Sequence, residues 1–471
     1  MSGARPTMLL YLLLATLILT AWAGGAAGIS SVRVLYLAGC IGVAYQAVRF
    51  GPGYHFEALV VLFAFSPFLR RIVDYECGYD PLGLMLTGPL LAGLVPTAGL
   101  ATSILSKRGH LIGRLGPYLL TTLTLSYAAL VLEFSGQYVP AVAGFGKSMS
   151  VLLYGCWLLA AAEDPRRVVR HGARAFLVVL PVVSIYGYIQ YIDPSSADRY
   201  WMISSAMSSV GYPEPQRVRV FSTLNSPESM ANFIVFGLLL IAVLRRFWEV
   251  LLCSGPAVVA LLLSQARTAW VALAAAIFYS FFFSKTWLRC TLLAGVVLVA
   301  GTFAVVATPA GDIIATRLQT LTDSTGGDFS GEARLDEFQF IFNHVEDYLF
   351  GGVTEGSGKT GWETNTRSLA ASDGLIVSSI QAMGIIGGPI FIFGVVWAAL
   401  QGLAHLQRRA EPEFVVAGGL VFGQLVVIPL SNPTGAEFGI LFWSLIAIAA
   451  RTPPKDHRRP PIPVSAAGGP H

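Results

Sequence analysis

Arginine is the residue type that this chain places where it costs most. Arg267 interrupts SQARTAW (264–270) between the apolar runs VLLCSGPAVVALLL and AWVALAAAIFYSFFF. A guanidinium at bilayer depth costs about 2.5 to 3.5 kcal/mol on insertion scales, so it must reach an interface or be held there for a purpose. A second arginine, Arg219, opens RVFSTLNSPESMANF (219–233), where Asn225, Ser226 and Pro227 signal a turn before the next apolar run. Guanidinium stays charged and offers a planar fork that binds phosphate oxygens in pairs. One interfacial arginine is explained by snorkelling alone. Several gathered on one face point to an anionic ligand.

The elements that must position these side chains are membrane helices. The chain is 54% hydrophobic and only 12% charged, with a mean hydropathy of +0.64, far outside the usual range of a soluble domain. Apolar stretches of spanning or near-spanning length recur at 8–24, 33–49, 56–70, 83–105, 116–133, 141–162, 173–193, 229–244, 250–265, 268–284, 288–308, 374–400, 414–430 and 435–450. The fold expected is therefore an all-α polytopic integral membrane protein with about 12 to 14 transmembrane helices, because a lipid-exposed backbone must satisfy its own hydrogen bonds. Arg5 followed by MLLYLLLATLILTAWAGG resembles a signal peptide, but with so many spans behind it an uncleaved first helix is expected.

Orientation follows from the basic loops. KRGHLIGR (107–114), EDPRRVVRHGAR (163–174), RRFWE (245–249), KTWLR (285–289), HLQRRAE (405–411) and RTPPKDHRR (451–459) fall on one side when the helices alternate, which is the cytoplasmic side. RRIVDYECGYD (70–80) is the exception, since alternation puts it outside; either a span near it is misplaced or its arginines meet an anionic lipid headgroup. Two segments, about 195–228 and 309–373, are too long to be mere connections and lie on the extracytoplasmic side with Arg219 and Arg267. In the second, Leu335, Phe338, Phe342 and Val345 recur at helical spacing opposite Glu332, Asp336 and His344, which predicts an amphipathic helix from Ser330 lying on the membrane surface. The chain divides into N-terminal helices (1–193), a segment carrying the arginine motifs (194–308), the loop domain (309–373), C-terminal helices (374–450) and a disordered cytoplasmic tail (451–471).

The two large loops add Arg217, Arg317, Arg334, Lys359 and Arg367 as further cations on the outer face, and His344 as the only histidine there. A histidine on the polar face of a surface helix is either solvated or a base. Ser372 and Asp373 precede a long apolar helix, where an N-cap belongs, so Asp373 is a cap and equally a candidate base. GSGKT (356–360) lacks both the spacing and the preceding strand of a phosphate-binding loop. Cys40, Cys77, Cys156, Cys253 and Cys290 have no metal-ligand spacing and read as small core residues. No cofactor or metal is expected, and the net charge of +4 without a long basic run gives no reason to expect nucleic acid.

Three stretches resemble the O-antigen ligase and polymerase superfamily of bacterial membrane glycosyltransferases, over about residues 215 to 390. RVFSTLNSPESMANF is similar to the family segment R-x-x-G-T-x-x-x-P-N, with Arg219, Thr223 and Pro227 in place but Ser222 and Glu228 where Gly and Asn are typical. LLLSQARTAWVAL (261–273) resembles its S-R-g-a-w-l-a-l hairpin, with Ala266 in place of the serine. RLDEFQFIFNHVEDYLFGGV and SDGLIVSSIQAMGIIGG resemble its large loop and the helix after it. Counting back from Gly384 and Gly387, the position of the ligase histidine holds Asp373.

The resemblance implies a GT-C-like fold in the bacterial inner membrane with an active site facing the periplasm. It implies a donor glycan on undecaprenyl diphosphate, whose diphosphate Arg219 and Arg267 bind without a metal, and a base at Asp373. Arg217, Arg317, Arg334, His344 and Arg367 are the additional substrate-binding candidates. A chain-length regulator and other polysaccharide-assembly proteins are the implied partners, beside membrane lipid. Aspartate at the histidine position favours a polymerase, which joins lipid-linked repeat units, over a ligase, which joins the glycan to lipid A core. A lipid-linked oligosaccharide flippase is the alternative of another class, for which related halves and charges inside spans would be expected.

Overall fold

The computed structural model describes residues 4–100, 102, 104, 108–134, 138–283, 285–307, 309–319, 339, 341, 343, 345, 346, 348–351, 374–404 and 411–451. The long elements are α1 (Ala4–Ala26), α2 (Val32–Phe50), α3 (Pro52–Cys77), α4 (Thr87–Leu94), α5 (Arg108–Phe134), α6 (Tyr138–Ala161) and α7 (Pro165–Ile192). They continue with α8 (Ser196–Ser205), α9 (Pro227–Leu244), α10 (Phe247–Leu263), α11 (Arg267–Phe281), α12 (Trp287–Ala307) and α13 (Gly311–Gln319). Then come α14 (Leu375–Ala404), α15 (Pro412–Val426) and α16 (Ala436–Ala449). Among the described residues every expected span falls on helix, and six helices are long and apolar enough to cross a membrane. The weakest match is the span expected at 83–105. There, 3₁₀ turns at Leu84–Leu86 and Val95–Gly99 flank the short α4, in a stretch rich in glycine and proline that cannot sustain a long helix.

Helix ends meet in the grouping that alternation requires. At one end His171 Nδ1 lies 2.6 Å from Glu57 Oε2, Arg170 Nη2 2.5 Å from Glu413 and Lys285 Nζ 2.7 Å from Glu411, joining the starts of α3, α7 and α15 and the loop before α12. At the other, the C-terminal parts of α3, α7 and α10 meet the segment that leads into α9, and the amide of Leu375 donates to the carbonyls of Ile428 and Ser431 beyond α15. Cys40, Cys156, Cys253 and Cys290 are buried free thiols, as small core residues should be.

Close helix contact relies on small side chains, because lipid offers no hydrophobic gain for pushing apolar helices together. Gly419 and Gly423 put the backbone of α15 against Ala272 and Ala276 of α11; a Cβ at Gly419 would come 3.1 Å from Ala276 O, and one at Gly423 would collide with Ala272 O. The ring of Phe422 stacks on Tyr279 beside this seam, centroids 5.1 Å apart. A buried amide pair, Gln424 Nε2 to Asn232 Oδ1 at 2.9 Å, joins α15 to α9. The helix that begins at Arg267 is thus held along its length.

The large loop behaves differently from the surface helix expected of it. Gln339, Ile341 and Asn343 are helical, with Ile341 buried and the other two exposed, so an amphipathic element is present. Its apolar side packs on protein: Ile341 and Tyr348 form a cluster with Val377, Ile380 and Ile385 of α14, while Val345, expected on the apolar stripe, is exposed. The rest of the expected helix lies outside the described residues. The α14 helix is itself broken at Gly384 (φ 75°, ψ 176°), and the chain at 348–351 fills the break. Tyr348 O accepts from Ile385 N at 2.9 Å, and Gly351 (φ 83°) faces Gly384 backbone to backbone.

Both glycines meet the two demands at once, a left-handed φ and no Cβ. A Cβ on Gly384 would stand 2.6 Å from the carbonyl carbon of Phe350. Gly384→Ala is therefore expected to lower the thermal midpoint of the detergent-purified protein and to expose the 348–351 segment to protease. Gly42→Ala in α2, where an added Cβ has nothing within 4 Å, should be neutral or stabilising by about 0.5–1 kcal/mol. Equal effects from the two substitutions would refute this account of the break.

Candidate active site

The chain between α8 and α9 forms a small cap with its own core of Trp201, Met202, Val210, Val218 and Phe221. Gly211 (φ 80°) bridges to Val218 in an isolated antiparallel pair, Tyr212 N donating to Arg217 O at 3.1 Å and Arg219 N to Val210 O at 3.0 Å. A side chain at Gly211 would stand 2.6 Å from Arg217 O, so the turn needs glycine. In the extended stretch that follows, Val218, Val220 and Phe221 are buried and Arg219 is partly buried.

Residues 219–224 belong to no helix, so their backbone groups must find partners elsewhere. Three helices supply them. From α7, Gln190 Oε1 accepts from the amides of Phe221 (3.0 Å) and Ser222 (2.8 Å), and the carbonyl of Val183 accepts from Ser222 Oγ at 2.5 Å. From α3, Arg71 donates to the carbonyls of Leu224, at 2.5 Å, and Ser222. From α10, the carbonyl of Leu263 accepts from Val220 N at 3.3 Å. Ser222 sits in the left-handed region (φ 51°), which accounts for glycine at this position in the family pattern; here the hydroxyl bond to Val183 offsets a conformational cost of about 1–2 kcal/mol.

Leu263 is the last residue of α10, so that bond joins the Arg219 segment to the Arg267 hairpin. Ser264, Gln265 and Ala266 make the turn: Gln265 takes φ 57°, Ser264 Oγ donates to Leu261 O at 2.6 Å, and Ala266 N donates to Ser264 Oγ at 3.3 Å. Arg267 is the first residue of α11 and is partly buried at the helix end, not at mid-span. Ala266 stands at the N-cap, where the family pattern has serine and where alanine has no oxygen to accept from the free amides.

Arg71 is 0% exposed. Beyond its two carbonyl bonds, its Nε lies 2.7 Å from Asp198 Oδ1, and its guanidinium stands over Phe221 with the centroid 5.0 Å away. Asp198 also accepts from Tyr186 Oη at 2.7 Å. Arg70 and Arg33 both pair with Asp74, at 3.1 and 3.0 Å. The arginines of RRIVDYECGYD thus do not meet lipid headgroups. They are internal because α3 continues through Cys77, where Asp74 pairs with Arg70, and because α8 and the 222–224 segment supply Arg71 with a carboxylate and two carbonyls.

Arg217 pairs with Glu214 at 2.6 Å and lies over Tyr212 on the exposed side of the cap hairpin. Arg317 falls on α13, a helix of nine residues, with its side chain outside the described set. Arg334, His344, Arg367 and Asp373 lie outside the described residues. Arg71, Gln190 and Asp198 went unnoticed in the sequence as site residues. Their one visible signal is polarity near the end of an apolar helix or just beyond it.

Beside the arginine segment, a cavity of approximately 330 Å³ opens between α3, the 83–90 stretch, α6 and the start of α9. Ser66, Thr87, Lys147, Asn225, Ser226 and Ser229 give it a polar lining. Ser226 caps α9 by accepting from Ser229 N at 3.1 Å, while Asn225 Oδ1 is buried with no hydrogen-bond partner among the described residues. Pro227 and Glu228 open the helix, the carboxylate lying favourably in its first turn.

A search of curated proteins found no match for the chain. Residues 250–392, which carry the Arg267 hairpin, the large loop and most of α14, match the family model described as O-antigen ligase. The chain is thus a multi-pass membrane protein in which this region, tied to the arginine segment, is similar to the O-antigen ligase family.

Proposed function

We propose that the protein is a polymerase that transfers a glycan from undecaprenyl diphosphate to a lipid-linked repeat unit at the extracytoplasmic face of the bacterial inner membrane. The observation that carries this reading is the hydrogen bond from Val220 N to Leu263 O, which ties the backbone beside Arg219 to the hairpin that begins α11 with Arg267. The donor's diphosphate is held by these two guanidinium groups. As the acceptor oxygen bonds to the anomeric carbon, the bond from that carbon to diphosphate oxygen breaks, and negative charge grows on the leaving group. Fixed cations stabilise this charge more than they stabilise the bound substrate, which is what accelerates transfer. The proton of the acceptor hydroxyl passes to a base, in this proposal Asp373.

The polar cavity at Asn225 is the place where the proposal seats a sugar ring, its unpartnered Oδ1 accepting from a hydroxyl. Aspartate where the ligase pattern has histidine favours polymerase. Ligase activity is the second reading, favoured by the description of the matched family model. The break in α14 speaks for an enzyme rather than a flippase, because neighbouring backbone fills it.

Arg219→Ala and Arg267→Ala are each expected to reduce polymer formation by about 10²–10³-fold with protein level retained. Lysine at either position should restore activity only in part, for want of the bidentate fork. Glycan ladders from membranes expressing each variant would measure this, and a full ladder from both alanine variants would refute the diphosphate clamp.

Arg71 and Asp198 separate positioning from stability. Arg71→Met leaves Asp198 buried without its cation and is expected to cost about 3–5 kcal/mol. Adding Asp198→Leu should recover most of the thermal stability without recovering transfer, because the carbonyls of Ser222 and Leu224 remain unheld. A double variant that is both stable and active would show that Arg71 only offsets a charge.

Asparagine is itself a good N-cap, so Asp373→Asn should keep the protein level and lose nearly all transfer, whereas Asp373→Ala should also lose stability by about 0.5–2 kcal/mol. If Asp373→Asn polymerises like the parent, the base lies elsewhere and His344→Gln becomes the decisive variant.

A further inference from the structure

A second cavity is larger than the polar one at Asn225. A groove of approximately 1280 Å³ runs between α7, α10 and α12, lined at one end by Tyr188 and Ala307 and at the other by Arg245, Arg246 and Arg289. Leu288 to Ala307 both line it, so it extends about 30 Å at the helical rise, the depth of a bilayer core. Its walls are apolar except at the arginine end, and no acidic residue lines it among the described residues. Two lining residues, Gly255 on α10 and Gly295 on α12, have nothing within 4 Å of an added Cβ. Glycine weakens a helix relative to alanine, and here no close contact requires it; what it does is keep the groove wide.

Among the described residues, the arginine end carries more positive charge than its lining balances. Arg245 pairs with Glu249 at 3.0 Å. Arg289 donates to the carbonyls of Val243 and, at 3.3 Å, Arg245, which satisfies backbone at the end of α9 without neutralising the guanidinium. Arg246 is exposed, and its backbone amide donates to Glu249 Oε2 at 3.0 Å. The distribution of lysine and arginine puts this end at the cytoplasmic leaflet, where anionic lipids attract basic residues and basic pockets between helices take their headgroups.

We infer that the groove is a binding site for an anionic glycerophospholipid of the cytoplasmic leaflet, its phosphate at Arg246 and Arg289 and its acyl chains along α10 and α12. A polyprenyl donor whose diphosphate lies at the opposite end of α10 would leave these arginines without an anion. The exclusion of the donor's tail rests on the proposed placement of its diphosphate; the groove and its basic end do not.

Thermal unfolding of the detergent-purified full chain, titrated with phosphatidylglycerol, phosphatidylcholine or undecaprenyl phosphate, tests it. Phosphatidylglycerol should raise the midpoint saturably and phosphatidylcholine should not. Arg246→Gln should weaken the apparent phosphatidylglycerol affinity about fivefold, the value of one basic residue near an anionic surface. Gly295→Phe should fill the groove and remove the saturable shift, with Gly255→Leu as the second filling variant if the first does not fold. Arg267→Ala should leave the shift unchanged. Equal shifts with the two phospholipids, or an unaltered phosphatidylglycerol response in Arg246→Gln and a filled-groove variant, would overturn the assignment. So would a saturable response to undecaprenyl phosphate alone that filling the groove abolishes, since the groove would then belong to the donor's tail.

Discussion

One buried guanidinium sets the geometry on which the rest of this site depends. Arg71 is taken out of solvent in the body of α3, and a charge there is tolerated only if it is paired and its donors are used. Asp198 supplies the counter-charge, and the carbonyls of Ser222 and Leu224 take the remaining fork. The cost of desolvating the ion is thus tied to one conformation of the 219–224 segment: displace the segment, and a buried cation loses both of its carbonyl partners. Such an arrangement gives an irregular stretch of backbone the rigidity of regular structure. Catalysis by fixed charges needs that rigidity, because a cation that must reorganise as charge develops stabilises it far less.

The same segment is gripped by amide acceptors from α7 and by the carbonyl end of α10, so helices far apart in sequence meet on a few atoms. Their ability to approach depends on glycine and alanine. Gly187 of α7 lies against Val220, a Cβ there standing 3.0 Å from its Cγ1, while Gly419 and Gly423 allow α15 to lie on α11. The backbone contact between Gly384 and Gly351 performs the same service for the large loop. Each closes a distance that any side chain would hold open.

Arginine serves three different ends in this molecule. Arg71 is internal and structural, Arg219 and Arg267 sit partly buried where helices end beneath the cap, and Arg246 and Arg289 are exposed at the opposite end of α10. Burial and partners distinguish them, not residue type. A guanidinium whose fork is taken up by protein carbonyls and a carboxylate, as in Arg71, positions other groups.

Much of this was legible in the sequence. Hydropathy alone placed helices at the expected spans, since a lipid-exposed backbone has few other solutions, and the basic loops grouped the helix ends that the contacts now join. The arginine motifs and their shared face were also legible, because turn residues and alternation are local properties. The short α4, the break at Gly384 and the docking of Ile341 on α14 were not, since glycine in an apolar run reads equally as packing surface or as a break. The exception at 70–80 was visible as an anomaly but had no visible cause. Its cause is a carboxylate at Asp198 and two carbonyls beyond residue 220, and no local pattern announces a partner more than a hundred residues away. Sequence determined which segments enter the membrane, because burial in lipid is decided residue by residue. Tertiary structure alone decided which arginine is buried among carboxylate and carbonyl partners and which are only partly buried or exposed, because a charge is defined by its partners, and those come from other helices.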